Sequence, residues 1–483
     1  MNGIGTETYS MDEEQEVEEF EEEDEEEELS EDLGQRKQKI NEFNVEGNQA
    51  LNQTNIQTLN LKVNYIAKTE NRQVKSKYDL QKKEDCNKFV ESFGKGEYLA
   101  TAIILSVFEA VTIEDFPWLM ESLMEFLPNS KNSEKKENEY REQLDSYVAL
   151  DSILQVIGAQ KLITDEGQVC IGLGINNTKP LGNIWEQFLR LREGIVSWLL
   201  HLVEIQKCNT IFEAYQIVTA FTKVILIDNR TVEKYIFPQL YSNPGNVWLL
   251  GNLLFKLYEK DEKKEYWSTL IIKWACSRSE WLWKSAYLAY ALFIEHDVTI
   301  KSEKQLKEIL AERICVLRKK DINFIVSVLF LSSKVRTMFC EILNMAYMKV
   351  EDKEKVTLKY LAILRNGFYR VRSSHIEIPL LICDTVEQQN YLKYIISFIM
   401  ERNGLRKQLF RILRPYMEEI ANYKYSEKNI RYLAAYFYNM SLNGKDNVKE
   451  ISYFLKECKC KLAKDVYIYF WNTYQKREKV LLT

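Results

Sequence analysis

A mainly α-helical fold is predicted by three features of this 483-residue chain. From Pro180 to the C-terminus, apolar residues recur at helical spacing in segments separated by short polar joints. β-prone alternation clear enough to predict strands lies in one stretch, Lys161–Ile175 (KLITDEGQVCIGLGI), so strands are expected only before Pro180. The charge is split between two parts of the chain. Met1–Gln35 holds seventeen Asp and Glu residues and no Lys or Arg, whereas residues 36–483 hold 54 acidic against 65 basic residues, a formal +11.

The acidic segment 1–35 is expected to be a disordered tail, since like charges repel and almost nothing apolar offsets the cost of ordering it. Residues 36–84 are rich in Asn, Gln and Lys and read as a polar linker, with a weak alternation at Asn52–Tyr65. From Cys86 the texture changes. Phe89–Phe93 and Tyr98–Glu109 carry helical spacing, and Thr112, Glu114, Asp115 and Pro117 signal a helix start before Trp118–Leu127. Leu144–Ile157 reads as another helix, and Asp165-Glu166-Gly167 between β-prone runs reads as a hairpin turn. Helices followed by one hairpin is the order of a winged-helix domain, which places one at residues 85–178.

Residues 179–483 then read as an irregular array of HEAT- or TPR-like helix pairs. Its predicted helices begin with Asn183–Arg192, Ile195–Gln206, Thr210–Ile227 and Thr231–Leu240. After the break at Asn243-Pro244-Gly245 come Val247–Tyr258, Lys263–Cys276, Trp281–Glu295, Glu303–Leu317, Ile322–Leu331, Lys334–Met348 and Lys355–Asn366. Val386–Glu401, Leu405–Ala421 with a kink at Pro415, Glu427–Asn439, Val448–Glu457 and Asp465–Arg477 complete the series. Trp198-Leu199-Leu200 and Trp248-Leu249-Leu250 echo one another without a strict period.

Three segments resemble a known family. Glu97–Leu127 (EYLATAIILSVFEAVTIEDFPWLMESLMEFL) is similar to the region that follows the nucleotide-binding domain of bacterial STAND-type signalling NTPases. Asn183–Leu202 (NIWEQFLRLREGIVSWLLHL) resembles a Trp-containing helix pair further on in those proteins. Lys273–Phe293 (KWACSRSEWLWKSAYLAYALF) resembles their helical-repeat unit, with Trp274, Ser285, Ala286, Ala289 and Ala291 at matching places. The resemblance implies the winged-helix and helical-sensor portion of such a protein. The phosphate-cradling G-x-x-x-x-G-K-[ST] loop is missing, so the chain is expected to act by binding, with neither ATPase activity nor a cofactor.

No other motif asks for catalysis. Gly172-Leu173-Gly174 lacks the third glycine of a dinucleotide loop and reads as a turn. His201 on an apolar helix face, His296 at a helix end and His375 in a loop before Pro379 have no local Ser, Cys or His partner that suggests a triad or a metal pair, and the nine cysteines are scattered, with Cys458 and Cys460 too closely spaced to share a helix face. No metal site follows. Trp248, Trp267, Trp274, Trp281 and Trp283 read as packing residues. The N-terminus lacks the pattern of a signal peptide and no apolar run is long enough to span a membrane, so a cytoplasmic location without membrane attachment is expected.

One constellation stands out. Arg365, Arg370, Arg372, Arg402, Arg406, Lys407, Arg411 and Arg414 concentrate positive charge, with Lys407, Arg411 and Arg414 on one helical face and Leu405, Leu409, Ile412 and Leu413 on another. This basic patch suits an acidic partner, phosphates, or the chain's own tail. The leading reading is a non-enzymatic scaffold or sensor that binds another protein, with the tail modulating access. The alternative is a nucleic-acid-binding protein whose tail competes for the basic body.

Overall fold

A computed structural model of the chain describes residues 77–481 except 94–95, 109, 128–149, 151, 164–168, 174–178, 188, 205–210, 230–231, 368–369, 373–374, 378–384, 423–424 and 443–444. The acidic tail and all of the linker before residue 77 lie outside the described residues.

The first part follows from two apolar helices and a small sheet. Helix α1 (Lys83–Phe93) is amphipathic, whereas α2 (Gly96–Val107) is buried along nearly its whole length and forms the centre of this part. Strand β1 (Val111–Thr112) leads into α3 (Phe116–Phe126), which starts with Pro117 in its first turn, where no amide is needed for the helical ladder. The Asp115 amide donates to Thr112 Oγ1 at 3.1 Å, which fixes the entry. Residues 152–157 are helical, and β2 (Gln160–Ile163) and β3 (Val169–Gly172) follow. The sheet is antiparallel in the order β1-β3-β2, with Val111 opposite Ile171 and Leu162 opposite Cys170.

Helices α4 (Lys179–Gln187), α5 (Leu189–Glu204) and α6 (Ile211–Ile227) pack back onto this part: α4 on α1 and α2, α5 on α3, α6 on α2. The boundary at residue 178 is therefore a packed seam. A Cβ at Gly194 would come within 2.5 Å of the Phe126 carbonyl oxygen, so α5 approaches α3 as closely as it does only because residue 194 has no side chain. A π-helical turn, Val232–Ile236, runs into α7 (Phe237–Tyr241), and Pro244–Asn246 forms a single 3-10 turn.

The helical array comprises α8 (Val247–Lys260), α9 (Lys264–Ala275), α10 (Glu280–Glu295), α11 (Glu303–Ile314), α12 (Lys319–Leu329), α13 (Ser333–Lys349), α14 (Lys353–Asn366), α15 (Val386–Glu401), α16 (Asn403–Ile420), α17 (Glu427–Ser441), α18 (Lys445–Glu457) and α19 (Lys461–Leu481). Polar side chains set several of their starts. Ser332, Asp352, Thr385 and Ser426 each accept a first-turn amide as N-caps of α13, α14, α15 and α17. From α8 to α17 each helix packs against the second one after it; α16 meets α18 through the stacked rings of Phe410 and Phe454, 4.6 Å apart, and also packs on α14 and α19. This contact pattern defines the array. Helix α10 is apolar on nearly every side and is buried from Trp283 to Phe293, as its place between α8, α9, α12 and α13 requires. A Cβ at Gly251 would meet Leu288 at 2.6 Å, so the close fit of α8 on α10 depends on that glycine. One apolar cluster runs from Leu80 to Phe470.

Two expectations are corrected here. Strands are not confined to the region before Pro180: β4 (Arg370–Arg372) and β5 (His375–Glu377) form an antiparallel hairpin between α14 and α15. His375 is accordingly on a strand, opposite Arg372, and not in a loop. The alternation Arg-Val-Arg-Ser-Ser-His-Ile-Glu carries that hairpin, and the neighbouring helical pattern masks it. Among the described residues no helix is long and apolar enough to cross a membrane.

Candidate functional site

The basic patch is built on α16. Leu405, Leu409, Leu413, Met417 and Ile420 recur at intervals of three and four residues and are all buried, so the helix turns Lys407, Arg411 and Arg414 outward. The Arg402 guanidinium lies 3.4 Å from the centre of the Phe398 ring. Arg406 donates to the Met400 carbonyl at 2.9 Å and to Asn403 Oδ1 at 3.4 Å, and sits 3.7 Å from Glu450 on α18. Arg414 pairs with Glu457 at 2.6 Å; hydrogen bonds from Tyr453 and Arg414 hold that carboxyl below its usual range. Lys407 and Arg411 are exposed and have no ion-pair partner among the described residues.

The six of these residues whose side chains are described are spread along the length of α16 and the end of α14. Helices α14 and α16 pack side by side, and the Tyr416 hydroxyl donates to the carbonyl oxygen of Arg365, which ties the second half of α16 to the end of α14. The start of α16 lies instead by the end of α13, where Tyr347 meets Phe398 edge-on at 5.9 Å. At 1.5 Å per residue, Arg402 and Arg414 are about 18 Å apart along the axis. Arg402, Arg406 and Lys407 therefore lie at the start of α16, and Arg365 lies by its second half. Arg370 and Arg372 follow α14 on β4; their backbone alone is described.

A second charged cluster was not visible as such in the sequence. Lys284 of α10, whose side chain is 6% exposed, contacts Glu280 at 2.6 Å and Asp321 of α12 at 3.0 Å. Arg318 and Lys320 reach the same Glu280 at 2.8 and 2.5 Å, and the Arg318 amide donates to Asp321 Oδ2 at 3.0 Å. The rings of Trp281, Trp283 and Phe324 stand 5.5 to 5.8 Å from the ammonium. Burial alone would raise the Asp321 and Glu280 carboxyls. Hydrogen bonds outweigh it and leave both below the usual range: for Asp321 from the Arg318 amide and Lys284, for Glu280 from Lys284 and Lys320. The local signals were the Glu280–Lys284 spacing and a lysine inside an apolar run. Asp321 comes from another helix, 37 residues further on by the numbering.

The remaining perturbed groups are explained by packing. Cys86, Cys170 and Cys458 are pushed up to about 11 by burial, and burial also raises the Tyr287 and Tyr290 hydroxyls. Trp267 donates to Asp261 at 2.8 Å, Trp274 packs edge-on against Phe237, and Trp248 and Trp283 pack on Phe324. His201 lies 5.4 Å from the Phe126 ring, and His296 lies 4.8 Å from Phe255. Among the described residues no group of His, Cys, Asp and Glu side chains is arranged to hold a metal ion. What the α16 surface offers chemically is charge-assisted hydrogen bonds from fixed and free cations to carboxylates or phosphates.

No family model, no curated protein and no solved structure matches the chain.

Proposed function

We propose that this protein is a non-enzymatic interaction module that binds an acidic surface of another protein through its helical array. The observation that carries the reading is the α16 surface: Lys407 and Arg411 project from a helix whose other face is fully packed, while their neighbours Arg406 and Arg414 are matched by Glu450 and Glu457. The matched cations position the helix, and the unmatched pair is left for a partner. The acidic segment 1–35 is read as a modulator of that access.

The architecture supports a scaffold of this kind. Stacking of each helix on the second one after it is the arrangement of HEAT- and TPR-like solenoids, which bind along extended surfaces. The order α2, β1, α3, residues 152–157, β2, β3, with strand order β1-β3-β2, supports reading this part as a winged-helix-like domain. A groove-reading role for that domain is less favoured, because residues 142–160, which include the helix before the hairpin, contain no Lys or Arg.

The test is affinity purification of the full-length protein from its own host after in-cell cross-linking, beside a Lys407→Glu/Arg411→Glu variant. A protein recovered with the native chain and lost with the variant supports the reading. Equal recovery, or recovery of nucleic acid in its place, overturns it.

A further inference from the structure

We propose that Tyr453, on α18 beside the cations of α16, anchors the acidic partner, which covers the ring with a large apolar side chain carried on the same acidic segment. This inference rests on the protein-binding reading of α16 and adds to it the residue that sets its specificity.

Three contacts fix how α16 and α18 lie against one another. Arg406 reaches Glu450 at 3.7 Å, the rings of Phe410 and Phe454 stack 4.6 Å apart, and Arg414 pairs with Glu457 at 2.6 Å. The numbers rise together, so the two helices run in the same direction with this seam between them. Lys407 and Arg411 each follow a seam residue of α16, while Tyr453 lies three residues after Glu450 and four before Glu457 and is turned to solvent. Tyr453 is therefore level with the turn from Lys407 to Arg411, on the opposite side of the seam.

Tyr453 is 65% exposed, whereas Phe454 beside it is 2% exposed. Its hydroxyl donates to Glu457, which Arg414 also holds, so the polar end of the ring is tied down while the faces stay open. A side chain held in this way loses little further freedom when a partner covers it. Tyrosine is also among the residues that carry most of the binding energy at the centre of protein interfaces. Lys407 and Arg411 flank the ring without ion-pair partners among the described residues, which fits a segment that brings Asp or Glu to them and an apolar side chain to the ring. A nucleic-acid strand fits less well. Glu450 and Glu457 border the ring and would oppose phosphates, and α18 offers one exposed ring where successive bases need several.

The test uses purified full-length protein carrying Tyr453→p-benzoylphenylalanine, mixed with an extract of its own host and irradiated, with the cross-linked peptides identified by mass spectrometry. The adduct should be a protein segment of net negative charge that contains a large apolar residue. It should be absent when the photoreactive group replaces Tyr394, an exposed tyrosine of α15. A synthetic peptide of the cross-linked sequence should bind the native chain in fluorescence anisotropy, bind Tyr453→Ala about tenfold more weakly or worse, and bind Tyr453→Phe within about twofold of native. Both variants should keep the Tm within about 1 °C, because the ring is exposed. No adduct, an adduct with nucleic acid or with a segment lacking net negative charge, the same adduct from position 394, or undiminished affinity in Tyr453→Ala would each overturn the proposal. Affinity lost in Lys407→Glu/Arg411→Glu but kept in Tyr453→Ala would sink the anchor and leave the α16 reading standing, whereas affinity kept in both would sink the two together.

Discussion

The α10–α12 cluster and the α16 surface use the same residue types to opposite ends. In the first, Lys284 and Asp321 are almost wholly buried, and every charge is met by another charge or an amide from the array itself. In the second, Lys407 and Arg411 stand in water and are met by nothing in the described part of the chain. A buried charge without its partner is very costly, whereas an exposed one hardly affects stability. The first cluster therefore constrains how α10 and α12 can pack, and the second is left free to recognise something else.

The largest effect is expected from breaking the buried cluster. Lys284→Met removes the buried ammonium, leaving Glu280 to Arg318 and Lys320 and the buried Asp321 to Arg318 alone, and should cost about 3–5 kcal/mol in chemical denaturation. Adding Asp321→Asn should return part of that loss, because it removes the buried charge. A cost within about 0.5 kcal/mol for Lys284→Met would erase the distinction between the two clusters.

A neutral buried pair gives a smaller, intermediate case. The hydroxyls of Tyr360 on α14 and Tyr436 on α17 lie 3.0 Å apart with both rings fully buried. Tyr436→Phe should lower stability by about 1 kcal/mol, measurable as a shift of the denaturation midpoint at unchanged slope. No shift would show that the surrounding polar groups take over the hydrogen bond.

Acid should sharpen the contrast further. Asp321 and Glu280 are held below their unfolded values, so the stability they contribute is present above about pH 4 and is lost as pH falls through their folded values. His296 is also lowered, chiefly by burial and further by Lys256 and Lys334. The unfolded chain then binds the imidazole proton more readily, so stability should already fall as pH drops below about 6.5. Thermal scans from pH 8 to 3 should show a shallow decline that His296→Gln removes, then a steeper one that it leaves in place.

The smallest stability effect belongs to the exposed pair. Lys407→Glu with Arg411→Glu should change folding stability by no more than about 0.5 kcal/mol, while binding to an acidic partner should fall and the remaining affinity should lose much of its salt dependence. A large loss of stability would place these residues with the α10–α12 group.

The helices α8 to α19 were all legible before any coordinates, because each carries an apolar stripe of 3.6-residue period and most are bounded by Ser, Thr, Asp or Gly signals. The helix at Leu405–Ala421 is found at Asn403–Ile420, and it continues through Pro415. The β4–β5 hairpin was missed because three-residue strands offer too short an alternation to stand out against flanking helices. The basic patch was legible as composition and only partly as a surface. The outward direction of Lys407 and Arg411 follows from periodicity, but the pairing of Arg414 with Glu457 and of Arg406 with Glu450 depends on where α18 packs.

The sequence by itself determined the mainly helical class and, from α8 onward, the helix boundaries to within about four residues, because those depend on local spacing and capping; before α8 the bounds moved further, as where the predicted Asn183–Arg192 spans the break between α4 and α5. The tertiary structure decided which charges cancel. Lys284 meets Asp321, Arg192 faces Asp228, and Arg365 parts from Arg402 only once helices distant in sequence stand side by side. The physical reason is one of range. Helical periodicity is set within a turn or two of chain, whereas the energy of a charge depends on burial and on partners within a few ångströms in space, wherever in the chain they originate.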